Sequence, residues 1–216
     1  MTHPIKIKDQ NFTMCGSGVL FWEESSMLII SDVHLGKVSH FRKYGAAVPQ
    51  NVVQDNFNLM DKAVAIFKPV VICFLGDLFH SSLNKEWQLF EKWVSKTKSK
   101  IVLVSGNHDI ISPLKYENLD ITVVPEIQQN GFLLTHHPEE RDGFFNFSGH
   151  IHPAVRLHGM GRQSVRLSCF FKSDTQMILP AFGKFTGTHI LKPTPKNEIF
   201  AIASNEIFKV AMDKGK

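Results

Sequence analysis

The sequence has few cysteines and no long apolar run. None of its three cysteines, Cys15, Cys73 and Cys169, forms a CxxC pair, so we expect free thiols in a reducing compartment. No stretch approaches the roughly 18 uninterrupted apolar residues that a membrane helix needs. The first ten residues contain neither an apolar core nor a small-residue cleavage site, so we expect no secretory signal. These absences favour a cytoplasmic protein that does not contact a membrane.

The charge of the chain is small and its apolar content is ordinary. The formal net charge of +4 is too low for a histone-like protein, although it favours an acidic partner. With 43% apolar and 20% charged residues, the composition excludes intrinsic disorder. The 216 residues contain no repeat and no linker, which predicts a single domain spanning residues 1–216. Histidine is frequent, with 11 residues, and this side chain serves mainly in acid–base chemistry and metal ligation.

The hydrophobic pattern predicts an α/β protein. Residues 19–30 are typical of a β-hairpin, and apolar residues spaced by three and four predict helices that follow Pro49 and Leu83. Continuous apolar runs at 70–75 and 101–104 predict buried parallel strands between these helices. The second half is rich in short strands, predicted at 121–124, 132–135, 144–148, 165–171, 177–179, 199–203 and 207–210. We therefore expect two packed sheets with helices outside.

Polar clusters rich in Asp, Asn and His follow five of the predicted strands. Ligands of open α/β folds bind beyond the carboxyl ends of strands, so these clusters can converge. They are Ser31-Asp32-Val33-His34, Gly76-Asp77, Ser105-Gly106-Asn107-His108-Asp109, His136-His137 and Gly149-His150-Ile151-His152. Their oxygen and imidazole donors suit Mn, Fe or Zn better than a thiolate site would.

The spacing within the clusters indicates how they bind metal. Asp32 and His34 are two residues apart, as are His150 and His152, so on extended backbone each pair points one way and can reach one ion. By the same alternation His137 points away from His136. Asp77 lies between the two sets of donors and can bridge two ions, an arrangement suited to phosphoryl displacement.

The ordered motifs DVH, GDLFH, GNHD, HH and GHIH, which span residues 32–152, resemble the signature of the calcineurin-like metallophosphoesterases. This resemblance implies a four-layer α/β sandwich of two mixed β-sheets flanked by helices. It implies that two divalent ions activate a water molecule to attack phosphorus and that His108 protonates the leaving oxygen or stabilises the transition state. It implies two ligand sets, Asp32, His34, Asp77 and His152 for one ion and Asp77, Asn107, His136 and His150 for the other. We expect Mn²⁺ because oxygen ligands accompany the imidazoles, with Fe and Zn as alternatives.

The flanking residues resemble a narrower group, the bacterial ligase-associated DNA-damage-response endonucleases of the PdeM family. The similar segments are SDVHLGKVSHFRKYGAAVP, GDLFHS, SGHIHPAVRLHG and LPAFGKFTG. This resemblance implies an endonuclease that hydrolyses DNA phosphodiester bonds in repair. It also implies a DNA ligase, a helicase and a second nuclease as partners.

Several further residues are candidates for the reaction. Many metallophosphatases place an Asp three residues after the bridging Asp, where it supports the catalytic His; here that position is His80, so we expect a His80–His108 arrangement. Lys37 and Arg42 follow the first motif and are candidates for binding phosphate oxygens. Arg162 is a third candidate, within a basic segment that also contains Arg156, His158 and Arg166 and follows GHIH. Solvated surface charge explains these basic residues almost as well.

Three other functions remain open at this point. The same metal centre would serve a phosphodiesterase for small molecules such as cyclic nucleotides, and it would also serve a phosphomonoesterase. A catalytically inactive scaffold on the same fold is the third possibility, although scaffolds of this kind typically lose ligands.

Overall fold

The computed structural model describes residues 1–38, 41, 51–80, 82–159, 161, 163–183 and 186–211. Its first sheet has seven strands in chain order. Strands β1 to β4 are antiparallel neighbours, and β4 to β7 are parallel. The strands are β1 (Thr2–Ile7), β2 (Gln10–Cys15), β3 (Leu20–Trp22), β4 (Met27–Ile30), β5 (Val71–Leu75), β6 (Lys100–Val104) and β7 (Ile121–Val124).

Three described helices connect the parallel strands. They are α1 (Asn51–Phe67), α2 (Lys85–Val94) and α3 (Pro113–Glu117). Helix α2 begins after Asn84, whose side-chain oxygen accepts a hydrogen bond from the backbone N–H of Glu86 at 2.8 Å. None of the described helices has the length and apolar character needed to cross a bilayer.

The second sheet has nine strands with mixed directions. Its main path runs β14-β11-β12-β13-β10-β9-β8, while β15 pairs with β12 and β16 pairs with β15. The strands are β8 (Ile127–Gln129), β9 (Phe132–Leu134), β10 (Phe145–Ser148), β11 (Pro153–His158), β12 (Ser164–Lys172), β13 (Gln176–Ile178), β14 (His189–Ile190), β15 (Glu198–Ala203) and β16 (Glu206–Lys209).

Strand β5 shows how the layers are held together. Ile72 and Phe74 pack in the core beneath the helices, where Phe90 of α2 lies. Cys73 and Leu75 alternate to the other face and pack in the core between the two sheets. A strand that is buried on both faces needs a continuous apolar run, as predicted for this segment.

The predicted fold class is confirmed, since the protein has two mixed sheets flanked by helices. All three described helices pack against the first sheet, and a small apolar cluster around Val155 and Cys169 lies on the outer face of the second. The three cysteines are free thiols, as predicted, and all three are buried. The predicted start of the first long helix at Pro49 lies outside the described residues.

Candidate metal centre

The five polar clusters meet at one edge of the two sheets. Strands β4, β5 and β6 are parallel and end at the same edge of the first sheet, and β9 and β10 are parallel in the second. Backbone hydrogen bonds join the loops that follow: His34 N–H donates to the Asp77 carbonyl at 2.9 Å, and Gly149 N–H donates to the His136 carbonyl at 3.0 Å. The loops therefore hold the seven predicted metal ligands close together.

The first ligand group consists of Asp32, His34, His152 and one oxygen of Asp77. The Nε2 atoms of His34 and His152 are 3.3 Å apart, and His152 Nε2 is 3.3 Å from Asp32 Oδ1. Asp77 Oδ2 lies 3.7 Å from His34 Nε2. Asp32, His34 and Asp77 are buried. Three imidazole or carboxylate donors of this group lie close enough together to hold one ion.

The second ligand group consists of Asp77, Asn107, His136 and His150. His136 Nε2 lies 3.0 Å from Asn107 Oδ1, 3.2 Å from His150 Nδ1 and 3.4 Å from Asp77 Oδ1. The two oxygens of Asp77 thus face different groups, with Oδ1 toward the second and Oδ2 toward the first. The structure thus brings together the side chains that the family resemblance implies as ligands.

Hydrogen bonds on the far side of two imidazoles show that these donors suit a cation. His136 Nδ1 is 2.9 Å from the Leu75 carbonyl oxygen, and His152 Nδ1 is 3.0 Å from the Gly187 carbonyl oxygen. A carbonyl only accepts, so in the neutral ring Nδ1 carries the proton and Nε2 directs a lone pair into its ligand group. At His136 that lone pair faces the oxygens of Asn107 and Asp77, and a cation would relieve the repulsion among these acceptors.

The protonation of the buried groups also fits metal ligation, which requires deprotonated ligands. Burial lowers the pKa of His34 to about 3, so its ring is neutral near pH 7. Burial opposes ionisation of Asp32, but hydrogen bonding and the charge interaction with His152 outweigh burial and lower the pKa of this carboxyl, and the same interaction raises the pKa of His152. A metal ion would displace the His152 proton and bind the neutral ring. Asp32 Oδ1 and His34 Nδ1 are also buried without a hydrogen-bond partner among the described residues. A bound divalent cation would satisfy the Asp32 oxygen.

The backbone at the site departs from the extended form that the spacing predicts. Five of the seven ligands have φ between 50° and 66°, in the left-handed region that non-glycine residues rarely adopt: Asp32, His34, Asp77, His150 and His152. The expectation of extended backbone at the DxH and HxH motifs is therefore wrong. Asp32 and His34 still reach the same group, whereas His150 lies in the second group and His152 in the first. The family resemblance implies this division, but the two-residue spacing of His150 and His152 does not.

Glycines let the loops approach one another. A Cβ atom on Gly149 would lie 1.9 Å from Ser31 Oγ and 2.4 Å from Asp32 Oδ2. A Cβ atom on Gly76 would lie 2.3 Å from His136 Nδ1. Both glycines thus allow the close backbone approach that their positions before His150 and Asp77 predict.

Asp109 positions the backbone that carries Asp77. Its Oδ2 accepts from the backbone N–H of Asp77 at 2.7 Å and of Gly106 at 2.9 Å, and its Oδ1 accepts from Phe79 N–H at 3.2 Å. The side chain therefore ties the β5 loop to the β6 loop. Both oxygens of Asp109 are thus engaged by backbone N–H groups, so this side chain orients the loop.

Asp109→Asn is expected to weaken metal binding about 10- to 100-fold, because it disturbs a residue that orients a ligand. The amide keeps one acceptor oxygen and turns an NH₂ group toward backbone N–H donors, which should lower the free energy of unfolding by about 2 kcal/mol. Mn²⁺ titration calorimetry and thermal unfolding measure the two effects. Asp142→Asn, at an exposed position, is the matched control. Wild-type metal affinity in Asp109→Asn would contradict this role.

The predicted catalytic residues lie beside the first ligand group. The ring of His108 is 5.0 Å from that of His80 and 5.6 Å from that of His34, measured between centroids. The backbone N–H of His108 donates to Asp77 Oδ1 at 2.9 Å, which fixes the loop next to the bridging carboxylate. The structure thus brings His80 and His108 together, as expected from His80 replacing the usual Asp.

The predicted phosphate-binding residues are only partly described. Lys37 is half-buried; burial lowers its pKa, while the carboxylates of Asp77 and Asp32 act in the opposite direction. Its ammonium is therefore electrostatically coupled to the ligand groups. Arg42 and Arg162 lie outside the described residues.

The expectation that His137 points away from the site is wrong. Its exposed ring lies 4.0 Å from that of His150 between centroids, and it offers a nitrogen near those of His136 and His150. The chain turns after β9, so the alternation of an extended strand does not apply.

Sequence reasoning also missed Ser31, whose hydroxyl donates a short hydrogen bond to Asp32 Oδ2, and the carbonyls of Leu75 and Gly187. Carbonyl groups carry no sequence signal.

Comparisons with known proteins concern the family and the fold. The family model described as Calcineurin-like phosphoesterase matches residues 26–177. The crystal structure of Pseudomonas putida nuclease MPE is similar, with 26% sequence identity, a TM-score of 0.83, and coverage of 97% of this chain and 100% of that chain. The structure of Yfce, a phosphoesterase from E. coli, matches with 14% identity and a TM-score of 0.43, covering 87% of this chain and 99% of that one. No curated protein matches the sequence.

Proposed function

The chain belongs to the calcineurin-like phosphoesterase family and is thus a hydrolase of phosphoric esters; from this premise we propose that it is an endonuclease that cleaves DNA phosphodiester bonds with two divalent metal ions. One observation carries the two-metal proposal: Asp77 directs one oxygen to each ligand group, at 3.4 Å from His136 Nε2 and 3.7 Å from His34 Nε2. The similarity along 97% of the chain to a nuclease supports a nucleic acid as substrate.

The ligands determine which ion is expected. Asp32, His34, Asp77 and His152 would hold one ion, and Asp77, Asn107, His136 and His150 would hold the other. Two such ions, when bound, would supply positive charge to phosphate oxygens and lower the pKa of a water molecule. Carboxylate and amide oxygens beside imidazoles suit Mn²⁺, with Fe and Zn as alternatives.

We infer that His108 protonates the leaving oxygen. Its half-buried ring borders the first ligand group and contacts the ring of His80. His80 restricts the orientations of the His108 ring, while the hydrogen bond from His108 N–H to Asp77 Oδ1 ties the acid to the bridging carboxylate. In its protonated form the imidazole gives its proton to the departing sugar oxygen, which avoids a high-energy alkoxide.

Basic residues would hold the substrate phosphate. Lys37, in the segment that follows β4, interacts electrostatically with Asp77 and Asp32, which supports it as a candidate for binding a phosphate at the metal centre. Arg42 and Arg162 stay candidates on the basis of their positions beside the motifs. Phosphate contacts of this kind position the strand without reading its bases.

We assign the activity to DNA repair in the cytoplasm on the strength of the resemblance to the ligase-associated endonucleases. The same resemblance suggests a DNA ligase, a helicase and a second nuclease as partners. Co-purification of the tagged chain with these proteins from a bacterial source would test the partners separately from the activity.

A panel of labelled single-stranded, nicked, gapped and duplex DNAs, together with supercoiled plasmid, tests the proposed substrate. With Mn²⁺ we expect internal cleavage of at least one DNA and no cleavage in EDTA. Rapid cleavage of cyclic nucleotides with intact plasmid would instead identify a small-molecule phosphodiesterase. A rate on p-nitrophenyl phosphate far above that on bis-(p-nitrophenyl) phosphate would identify a phosphomonoesterase. A folded chain that takes up no divalent ion would favour the inactive scaffold.

A further inference from the structure

Strands β11 and β12 form a hairpin that begins at the metal centre. β11 starts at Pro153, directly after the ligand His152, and pairs antiparallel with β12. In this register Arg156 lies directly opposite Arg166. Side chains at directly opposed positions of an antiparallel pair project from the same face, with Cβ atoms about 5 Å apart.

The hairpin extends past the edge where the metal ligands lie. Only Phe171 and Lys172 of β12 pair with β13, which runs parallel to β10, the strand that leads to His150. Because β12 is antiparallel to β13, its earlier residues lie beyond the carboxyl end of β13. The positions of β12 that pair with β11, Ser164 to Ser168, are in this extension.

The two arginines project from the face of the hairpin that turns toward the first sheet. Arg166 alternates in phase with Phe170, which packs in the core between the two sheets. The intervening Cys169 belongs to the cluster on the outer face. Arg156 is three residues beyond Pro153, the first residue of β11, which corresponds to about 10 Å along an extended strand. The arginines thus project from the inter-sheet face of the hairpin that begins directly after His152.

The pair is electrostatically unfavourable in the absence of a ligand. Both arginines are exposed, and in the described part of the chain neither side chain makes an ion pair or a hydrogen bond. Like charges at directly opposed positions of a sheet are destabilising. A phosphate between or beside two guanidinium groups would remove that repulsion, and the planar guanidinium matches the oxygens of a phosphate.

We propose that Arg156 and Arg166 bind the sugar–phosphate backbone of DNA next to the phosphate that is cleaved, so that the β11–β12 hairpin is a docking surface for the substrate strand. The inference rests on the proposed function, because it takes DNA as the substrate. It adds a surface outside both ligand groups that holds the strand through its charge and independently of sequence.

DNA binding without metal tests this surface separately from catalysis. The binding of a fluorescein-labelled single-stranded oligonucleotide is measured by anisotropy in EDTA at several KCl concentrations. The double variant Arg156→Gln/Arg166→Gln is compared with wild type and with the control Lys96→Gln/Lys98→Gln. The control removes the same amount of positive charge from two exposed lysines that lie between α2 and β6. Thermal unfolding of the arginine variant should occur at or above the wild-type midpoint, because a repulsive pair is lost.

We expect the arginine variant to bind roughly 10- to 100-fold more weakly. The slope of log K against log salt should become shallower by about 1.4, since two phosphate contacts to a single strand are lost. The lysine control should retain the wild-type affinity and slope. A folded arginine variant with wild-type affinity and slope would overturn the docking surface even if the chain cleaves DNA. Loss of binding in this variant, together with no cleavage by the wild type in Mn²⁺, would support the surface and overturn the proposed function.

Discussion

Asp77→Asn is expected to reduce the rate of DNA cleavage by at least about a thousandfold, which corresponds to the several kcal/mol that metal ions supply to a phosphoryl transition state. Asp77 directs Oδ1 to His136 and Oδ2 to His34, and Oδ1 also accepts the N–H of His108. An asparagine can keep the hydrogen bond to His108 through its single oxygen. Its NH₂ group then faces His34, and the negative charge shared by the two groups is lost.

The measurement is the single-turnover rate on labelled DNA at saturating Mn²⁺, with Asp142→Asn as the control for a carboxylate lost from an exposed position. Circular dichroism checks that the variant is folded. We expect Asp142→Asn to cleave at the wild-type rate. A folded Asp77→Asn variant that retains more than a tenth of the wild-type rate would show that this carboxylate does not bridge the reactive centre.

His108→Ala is expected to lower the rate of DNA cleavage about 10²- to 10⁴-fold, the usual contribution of a general acid. The substitution leaves the backbone N–H that donates to Asp77 Oδ1, and the ring belongs to neither ligand group. Metal binding should therefore be unchanged. This result would distinguish His108 from the metal ligands, because replacing a ligand should impair both metal binding and DNA cleavage.

The leaving group distinguishes an acid from a residue that only positions the loop. A p-nitrophenolate leaves readily without a proton, whereas a sugar oxygen does not, so His108→Ala should lose much less activity on bis-(p-nitrophenyl) phosphate than on DNA. His3→Ala is the control. The ring of His3, near the N-terminus, packs against the ring of Phe200 in the C-terminal part of the chain. An equal loss on both substrates would contradict proton transfer by His108.

Much of the fold follows from local sequence patterns. The β5 run is apolar at every position because its two faces pack in two different cores, and α1 and α2 show the spacing of helices that cover a sheet. Strands β1 and β11 were missed. Pro4 lies inside β1 and Pro153 begins β11, and proline in a short run argues against a strand when only the sequence is considered. The pairing with β2 and β12 that stabilises them depends on register, which local patterns do not encode.

The family resemblance selected seven candidate ligands, and the structure places them together, each after a strand. Their geometry was not predictable from the sequence. The left-handed conformations of His150 and His152 direct neighbouring ligands into different groups, and a two-residue spacing cannot reveal this. Likewise, the two carbonyls behind His136 and His152 lie at least 35 residues away in sequence. Only the tertiary structure brings those acceptors to the imidazoles.

The most direct test of the two ligand groups is the number of ions that the chain binds. Mn²⁺ titration of the metal-free chain by calorimetry, with elemental analysis of the dialysed product, gives this number for wild type and for Asp77→Asn. Two ions per wild-type chain, and at most one in the folded variant, are the result expected from a carboxylate shared by two groups. Binding of no ion, of a single ion, or of two ions with equal affinity in both proteins would contradict it.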